Sequence, residues 1–456
     1  MKRMFTSALA AILLACAGLI PSASAATEAE KLAAIQSGLA HLYSLQAADG
    51  SWIISASYKD AGTGAAVFAF LAQQAKWPAG QVTNYQTAVN KGIAFLLSDA
   101  VVQTGISTNN GGVNICPGGT GVCNGIYWGG GTSVEVYSTG LVTPAIDVFG
   151  LAMGAGAVAD SNPVGAGHPL GGLTWRQIAQ GVTNAFAASQ SSSATYPTYR
   201  GGWHYQIPGN VDADSSTTQW GVLSIGYDES LGATTPAVVK SNLPTWLGNV
   251  QWTAAGANFG GVCYEPYPGC SIGPTHSDTG GWEVAMQYMG NNLNAAQQNG
   301  ITFLNTNWNQ TANASWNGLF GHPYAMWAVY KGLESTIGLT DTTHIASAHL
   351  NTDCGLAAGK MPGSGVCNWW EDFNEYLVRH QTAGTGAWPD LGGYWPDPLS
   401  TSLFVNILGA TPLPGSLLPP TTPTVPTLSM WGLVALGIML AGFAAMRLRK
   451  AHTHQS

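Results

Sequence analysis

One unit recurs along this chain: a tryptophan in a glycine-rich polar loop, then Asp, Ser or Thr, then an apolar helix. Its clearest copy is residues 201–220, GGWHYQIPGNVDADSSTTQW. Asp, Ser and Thr ahead of an apolar run mark a helix start, because their side chains accept the unpaired N–H groups of the first turn. Helical periodicity is also clear over 28–45, 85–97, 175–190, 238–250, 293–308 and 369–380. Pro244 is expected to bend or break the fourth of these. Each is followed by a more apolar helix starting near Thr63, Thr139, Ser216, Asp278, His322 and Thr401. No strand-like alternation competes. Twelve helices in six pairs must stack to bury their apolar faces. Amphipathic first helices and apolar second helices predict an all-α fold, an (α/α)6 toroid of six inner and six outer helices. A helical solenoid is the rival, but no pair has the polar face of a capping repeat.

Both ends read as processing signals. Lys2 and Arg3, an apolar run over 8–20 and Ala23-Ser24-Ala25 form a signal peptide over 1–25. Cleavage before Cys16 is a weaker reading, since the apolar run continues past it. The body is expected over 26–411, a Pro/Thr-rich linker without core over 412–426, and a short hydrophobic segment over 427–456, followed within it by Arg447, Arg449 and Lys450. Only 8% of residues are charged and the net charge is −8. With no basic run outside the termini, nucleic acid is not an expected partner. Six cysteines remain after the leader: Cys116 with Cys123, Cys263 with Cys270, and Cys354 with Cys367. An even number in an exported chain favours disulfides, and three close couples favour three local bridges. No couple has the CxxC spacing of a zinc site, so neither metal nor cofactor is expected.

The repeat resembles the prenyltransferase/squalene-oxidase repeat of the terpenoid cyclase-like α/α-toroid superfamily. Residues 38–52 (GLAHLYSLQAADGSW), 376–388 (YLVRHQTAGTGAW) and 201–220 resemble its QW motif, in which a Gln at an outer-helix end and a downstream Trp tie neighbouring helices together. The pairs would be Gln46 with Trp52, Gln190 with Trp203, Gln310 with Trp316 and Gln381 with Trp388. The resemblance spans about residues 28–410 and bears on fold more than on activity. Squalene–hopene-type cyclases carry Asp-x-Asp-Asp at an inner-helix start. Here the matching stretch is Asp212-Ala213-Asp214-Ser215, which would make Asp214 the proton donor without its last carboxylate partner. The zinc ligands and basic pocket of protein prenyltransferases and the Cys-Gly-Glu-Gln thioester of the complement branch are absent from the sequence. The tail, 425–432 (VPTLSMWG), resembles an IPTL-CTERM sorting signal, with Met430 where Glu is usual. That resemblance implies a Gram-negative envelope, a membrane contact through the tail before processing, and an exosortase-type sorting enzyme as partner. A plain C-terminal anchor is the alternative.

In a toroid the inner-helix starts would bring Asp214, Asp278, His276 and His322 to one mouth, with Trp203, His204, Tyr205, Trp282, Tyr324, Trp369 and Trp370. Glu283, one turn into an inner helix, would face core or cavity. Asp214, Asp278 and Glu283 are the candidate catalytic groups and the aromatic and histidine residues the candidate ligand wall. Asp214 and Asp278 also sit where N-caps sit, and a cap needs no further purpose. Glu371, Asp372 and Glu375 are expected on a solvated face. Three functions fit: binding a ligand or partner at the aromatic cavity; cleaving surface polysaccharide as a hydrolase or lyase; or cyclising a terpenoid or lipid through Asp214. With no complete catalytic motif, binding stands first, and the residues alone do not decide whether the protein is an enzyme. The expected ligand is a glycan or a lipid.

Overall fold

The computed structural model describes residues 26–418, apart from 56–57, 120, 162–166, 193, 210, 271, 309, 311–317 and 346–367. The expected leader, Trp316 and the expected sorting segment lie outside the described residues. So do Cys354 and Cys367, and with them the third of the three expected disulfides.

Twelve α-helices form among the described residues: α1 (Glu28–Leu45), α2 (Lys59–Ala72), α3 (Val82–Asp99), α4 (Glu135–Met153), α5 (Trp175–Ser189), α6 (Ser215–Ser230), α7 (Ala237–Val250), α8 (His276–Tyr288), α9 (Ala295–Thr306), α10 (Pro323–Thr336), α11 (Trp369–His380) and α12 (Leu399–Leu408). Capping boxes start α1, α5 and α9, where Thr27, Thr174 and Asn294 pair with Glu30, Gln177 and Gln297. The even-numbered helices pack in sequence, α2 on α4, α4 on α6, α6 on α8, α8 on α10 and α10 on α12, and α12 packs back on α2. Their shared axis is filled. Phe68 of α2 meets Tyr227 of α6 edge-on at 5.8 Å and Trp327 of α10 at 6.5 Å. α4 is long and apolar enough to cross a membrane, but most of it is buried between its neighbours.

The recurring Gln and Trp make the joints. Gln46, Gln190 and Gln381 cap the C-termini of α1, α5 and α11. Each side-chain amide donates twice: to a glycine carbonyl in its own loop and to a carbonyl of the next odd-numbered helix. The acceptors are Gly50 and Ala88 for Gln46, Gly201 and Val239 for Gln190, and Gly386 and Ala34 for Gln381. The Trp two residues after that glycine donates its indole N–H back to the helix just ended: Trp52 to Leu42, Trp203 to Phe186 and Trp388 to Leu377. Its backbone N–H goes to a threonine in the following helix, Thr63, Thr218 or Thr401. Gln251 forms a joint the sequence reading missed, with Val262 in place of Trp. Gln310 does not follow the pattern: its amide bonds Asn307 on the same strand of chain. The loop glycine is obligatory. Gly201 and Gly386 have φ of 99° and 81°, and a Cβ there would lie 2.2 and 2.4 Å from the carbonyl oxygens of Asn242 and Ser37.

Several expectations need correction. α2 and α4 begin four residues before Thr63 and Thr139, because those threonines receive a tryptophan N–H (Trp52 and Trp128) instead of capping. α7 runs through Pro244, with Leu243, Trp246 and Val250 buried around it; that packing offsets the lost hydrogen bond. Two short antiparallel sheets interrupt the helices: β1 (Val101–Ile106) with β2 (Cys123–Tyr127), and β3 (Val262–Cys263) with β4 (Pro274–Thr275). Cys116–Cys123 and Cys263–Cys270 form disulfides within these loops. Of the three local bridges expected, these two form among the described residues, and a Cys354 to Cys367 bridge is not among them. Asp372 and Glu375 are buried rather than solvated, accepting from Trp308 Nε1 and Arg379 Nε. The segment from Pro412 is not without core: Leu413 and Leu417 are buried, with Leu417 against Gly226 of α6. Just before it, Thr411 accepts from Lys331 Nζ and Tyr330 OH of α10.

Charge is concentrated where the two ends of the chain meet. Lys31–Glu371, His41–Asp397 and Arg379–Glu30 join α1 to α11 and the loop before α12. The other ion pairs among the described residues link groups close in sequence. The Gln381 amide crosses the same seam. Gln381→Ala leaves its acceptors unpaired and should cost about 1–3 kcal/mol, read as a lower urea midpoint. Gln86→Ala, whose amide bonds only Asn90 on its own helix, should change stability by less than ~0.5 kcal/mol.

Candidate functional site

The N-terminal ends of α4, α6, α8 and α10 lie together, and the loops leading into them form a wall. A pocket of about 330 Å³ opens there, lined by Tyr137, Tyr205, Ser216, Tyr264, Glu265, Cys270, Ile272, Thr275, Ser277, Asp278 and Tyr324. The repeat explains part of this set. In α4, α6 and α8 the threonine that holds a backbone N–H is Thr139, Thr218 or Thr279. Two residues earlier stand Tyr137, Ser216 and Ser277, so one register position supplies three lining groups. Tyr264 and Glu265 come from the loop closed by Cys263–Cys270. These residues were not among the sequence candidates. The register relative to the joint threonine is the signal that would have found the first three.

Behind the wall Asp214 caps α6. Its Oδ1 accepts from Thr217 N at 2.8 Å and from Ser216 Oγ at 2.5 Å. Its Oδ2 lies 3.8 Å from His204 Nε2, and His204 Nδ1 lies 3.9 Å from Asp212. Asp214 therefore touches the pocket through Ser216. α8 is capped by Thr275, not by Asp278. Asp278 is the third residue of the first turn, where its N–H donates to Thr275 Oγ1 and its Oδ2 accepts from the same hydroxyl. Asp278 Oδ1 has no hydrogen-bond partner among the described residues, although the residue is buried. Burial raises the Asp214 carboxyl above the usual range and pushes Asp278 up to about 7. Burial likewise raises the phenols of Tyr137, Tyr264 and Tyr324, so all three are neutral at pH 7.

Of the expected ligand wall, Tyr205 and Tyr324 line the pocket, and of the expected catalytic groups, Asp278 does. The tryptophans do not, because their indoles are spent on helix ends. Trp203 donates to Phe186 O, Trp282 to Leu247 O and Trp369 to Gly338 O. Trp370 donates to Ile407 O, away from the pocket. His276 bonds Asn307 O, and His322 lies against Gly392; burial lowers both imidazoles to about 4. Glu283 is buried but turned toward α9, against Gly300, and its carboxyl is pushed well up by burial. Trp395, not singled out from the sequence, backs the pocket. It stacks on Tyr324 at 4.7 Å and lies 5.7 Å from Tyr137. Among the described residues no three His, Cys, Asp or Glu side chains come together as a metal centre.

The raised carboxyls set a pH dependence. Asp60 and Asp278 titrate near 7 and Asp147, paired with Asp228 in the core, near 8, against about 4 in an unfolded chain. The folded state thus holds extra protons, and its stability falls as pH rises through these values. The lowered His276 and His322 oppose this only below their unfolded value of about 6.5. The urea midpoint should therefore fall between about pH 6.5 and 8, and Asp147→Asn should flatten that fall.

Comparison with known proteins identifies one segment. Residues 424–450 match the IPTL-CTERM motif. No curated protein matches the chain. The sequence expectation for the tail thus holds at its C-terminal part. The motif marks a C-terminal sorting signal, membrane-associated until a sorting enzyme processes it, and indicates an exported, surface-directed protein.

Proposed function

We propose that residues 26–418 form an (α/α)6 toroid, with α2, α4, α6, α8, α10 and α12 as the inner ring, and that it is an exported binding protein holding a small polyhydroxyl ligand, a sugar unit of the envelope surface, in the tyrosine pocket. The cyclic packing of the even-numbered helices and the Gln381 joint from the last helix pair to the first support the ring. The Gln/Trp joints support kinship with the prenyltransferase/squalene-oxidase repeat. In this reading residues 1–25 are the leader, Cys354 and Cys367 form the third local disulfide, and a Gram-negative envelope with an exosortase-type enzyme handles the tail.

The observation that carries the binding reading is the pocket itself: tyrosine rings for stacking, hydroxyls and the Asp278 carboxyl for orientation, and a volume suited to a sugar of one or two rings. A terpenoid cyclase needs a deep apolar cavity, and the space where one would lie holds Phe68, Tyr227 and Trp327. Asp214 in this reading orients the wall rather than protonating a substrate. Glu283 takes no part. A second reading, glycosidic cleavage, is favoured by two carboxyls on one wall, Asp278 and Glu265, with Asp278 poised near neutral pH.

Native mass spectrometry of the protein purified from its own envelope, followed by calorimetry with a saccharide panel, tests this. We expect a bound saccharide, and an affinity about tenfold weaker for Asp278→Asn, as for one lost hydrogen bond to a charged group. Shortened saccharides in the same tube would favour cleavage. A co-purifying apolar mass with no saccharide binding would sink the sugar reading.

A further inference from the structure

We infer that the tyrosine pocket takes a ligand bearing a primary ammonium group on a polyhydroxyl body, an amino sugar, and rejects acidic sugars; this rests on the pocket being the binding site.

Each hydroxyl has one hydrogen to donate, so the hydrogens on the wall can be counted. Ser216 Oγ donates to Asp214 Oδ1 at 2.5 Å. The 2.6 Å contact between Tyr137 OH and Ser216 Oγ must then be donated by Tyr137. Tyr205 OH is bonded to Tyr264 OH at 2.8 Å. One of these two phenols donates to the other, so the pair keeps one hydrogen for a ligand oxygen. Tyr324 donates to Ser216 O at 2.7 Å and accepts from Gln219. On the α8 side Thr275 donates to Asp278 Oδ2 at 2.8 Å, which makes Ser277 the donor to Thr275 at 3.0 Å. Six of the seven hydroxyl groups among the lining side chains have thus used their hydrogens internally. The other polar side chains on the wall are the carboxyls of Asp278 and Glu265; among the described residues no Lys, Arg, His, Asn or Gln lines it.

With one phenol hydrogen left over, the side-chain wall therefore offers mostly lone pairs and negative charge. A ligand satisfies it mainly by bringing donors. Asp278 Oδ1, buried on that wall with no hydrogen-bond partner among the described residues, is the place for the strongest of them. An ammonium group placed there pairs a buried carboxylate and lies beside the electron-rich faces of the tyrosines. Sugar hydroxyls can donate to the oxygens of Tyr264 and Tyr205. A uronate would set a carboxylate against Asp278 and Glu265, with Asp214 one residue behind. Asp214 acts as a positioning residue: it is the acceptor on which the pair Ser216–Tyr137 ends, and it fixes the sense of both bonds. The charged and titratable groups facing Asp278 and Asp214 are Glu265, His204, Asp212, Tyr137, Tyr205, Tyr264 and Tyr324.

Calorimetry on the full chain at pH 7.5 with D-glucosamine, D-glucose, D-glucuronate and n-butylamine tests the inference. We expect glucosamine to bind at least about tenfold more tightly than glucose, and glucuronate not to bind. Asp278→Asn should bring glucosamine and glucose to similar affinity, while leaving the urea midpoint near wild type or above it, since an amide keeps the Thr275 bond. Equal binding of the three sugars, or preference for glucuronate, overturns the ammonium assignment and leaves a sugar pocket standing. Butylamine binding without any sugar binding upholds the ammonium site and overturns the sugar reading. Failure of both amines to bind overturns the inference.

Discussion

The structure depends on a glutamine side chain at the end of a helix. A primary amide has two N–H donors in a fixed plane, so one residue can satisfy two carbonyls that face each other across a gap. Gln46, Gln190, Gln251 and Gln381 each use one donor on their own loop and one on the neighbouring helix. The glycine whose carbonyl is bonded lies so close to the next helix that no side chain would fit. In three of the four joints the tryptophan that follows returns to the preceding helix. Three helices are thus fixed by hydrogen bonds of defined length at one point, in a protein whose few charges could not do the same work. Where charge does appear across long sequence distances, it supports the seam between the chain's two ends, the one joint that no covalent continuity helps to hold.

That division of labour explains how much was legible in the sequence. Helix number, pairing and the alternation of amphipathic and apolar helices follow from periodicity, which local burial dictates, and they appear as expected. Helix starts were less legible. Thr63 and Thr139 carry the same letters as a cap, but their hydroxyls serve a tryptophan N–H delivered from a distant loop. Gln251 was missed because its joint uses Val262, and a valine carries no signature. Burial of Asp372 depends on Trp308, sixty-four residues away, and no local pattern records such a contact.

The site was half legible for the same reason. Asp278, Tyr205 and Tyr324 were found by their place near helix starts. Trp203, Trp282 and Trp369 were expected in the wall because aromatic residues line cavities, yet their indole N–H groups are needed at helix ends, and a group so used cannot face a ligand. Tyr137 and Tyr264 reach the pocket through register and through a disulfide-closed loop. Both are properties of three-dimensional placement. Asp214 is at once a helix cap and the anchor of a hydroxyl chain, so capping and site chemistry were never true alternatives.

The route by which the chain leaves the body bears on its life as a surface-directed protein. The stretch ending at Leu418 is seated on the C-terminal ends of α6, α8 and α10, with Leu417 on Gly226 and the carbonyl of Thr411 on Lys331. The pocket lies toward the opposite ends of the same helices: the step from Gly226 back to Ser216 on the pocket wall is about 15 Å of helix rise. Tension on the chain beyond Leu418 would load the leucine seat and the buried lysine first, before it reached the helix starts that carry the pocket.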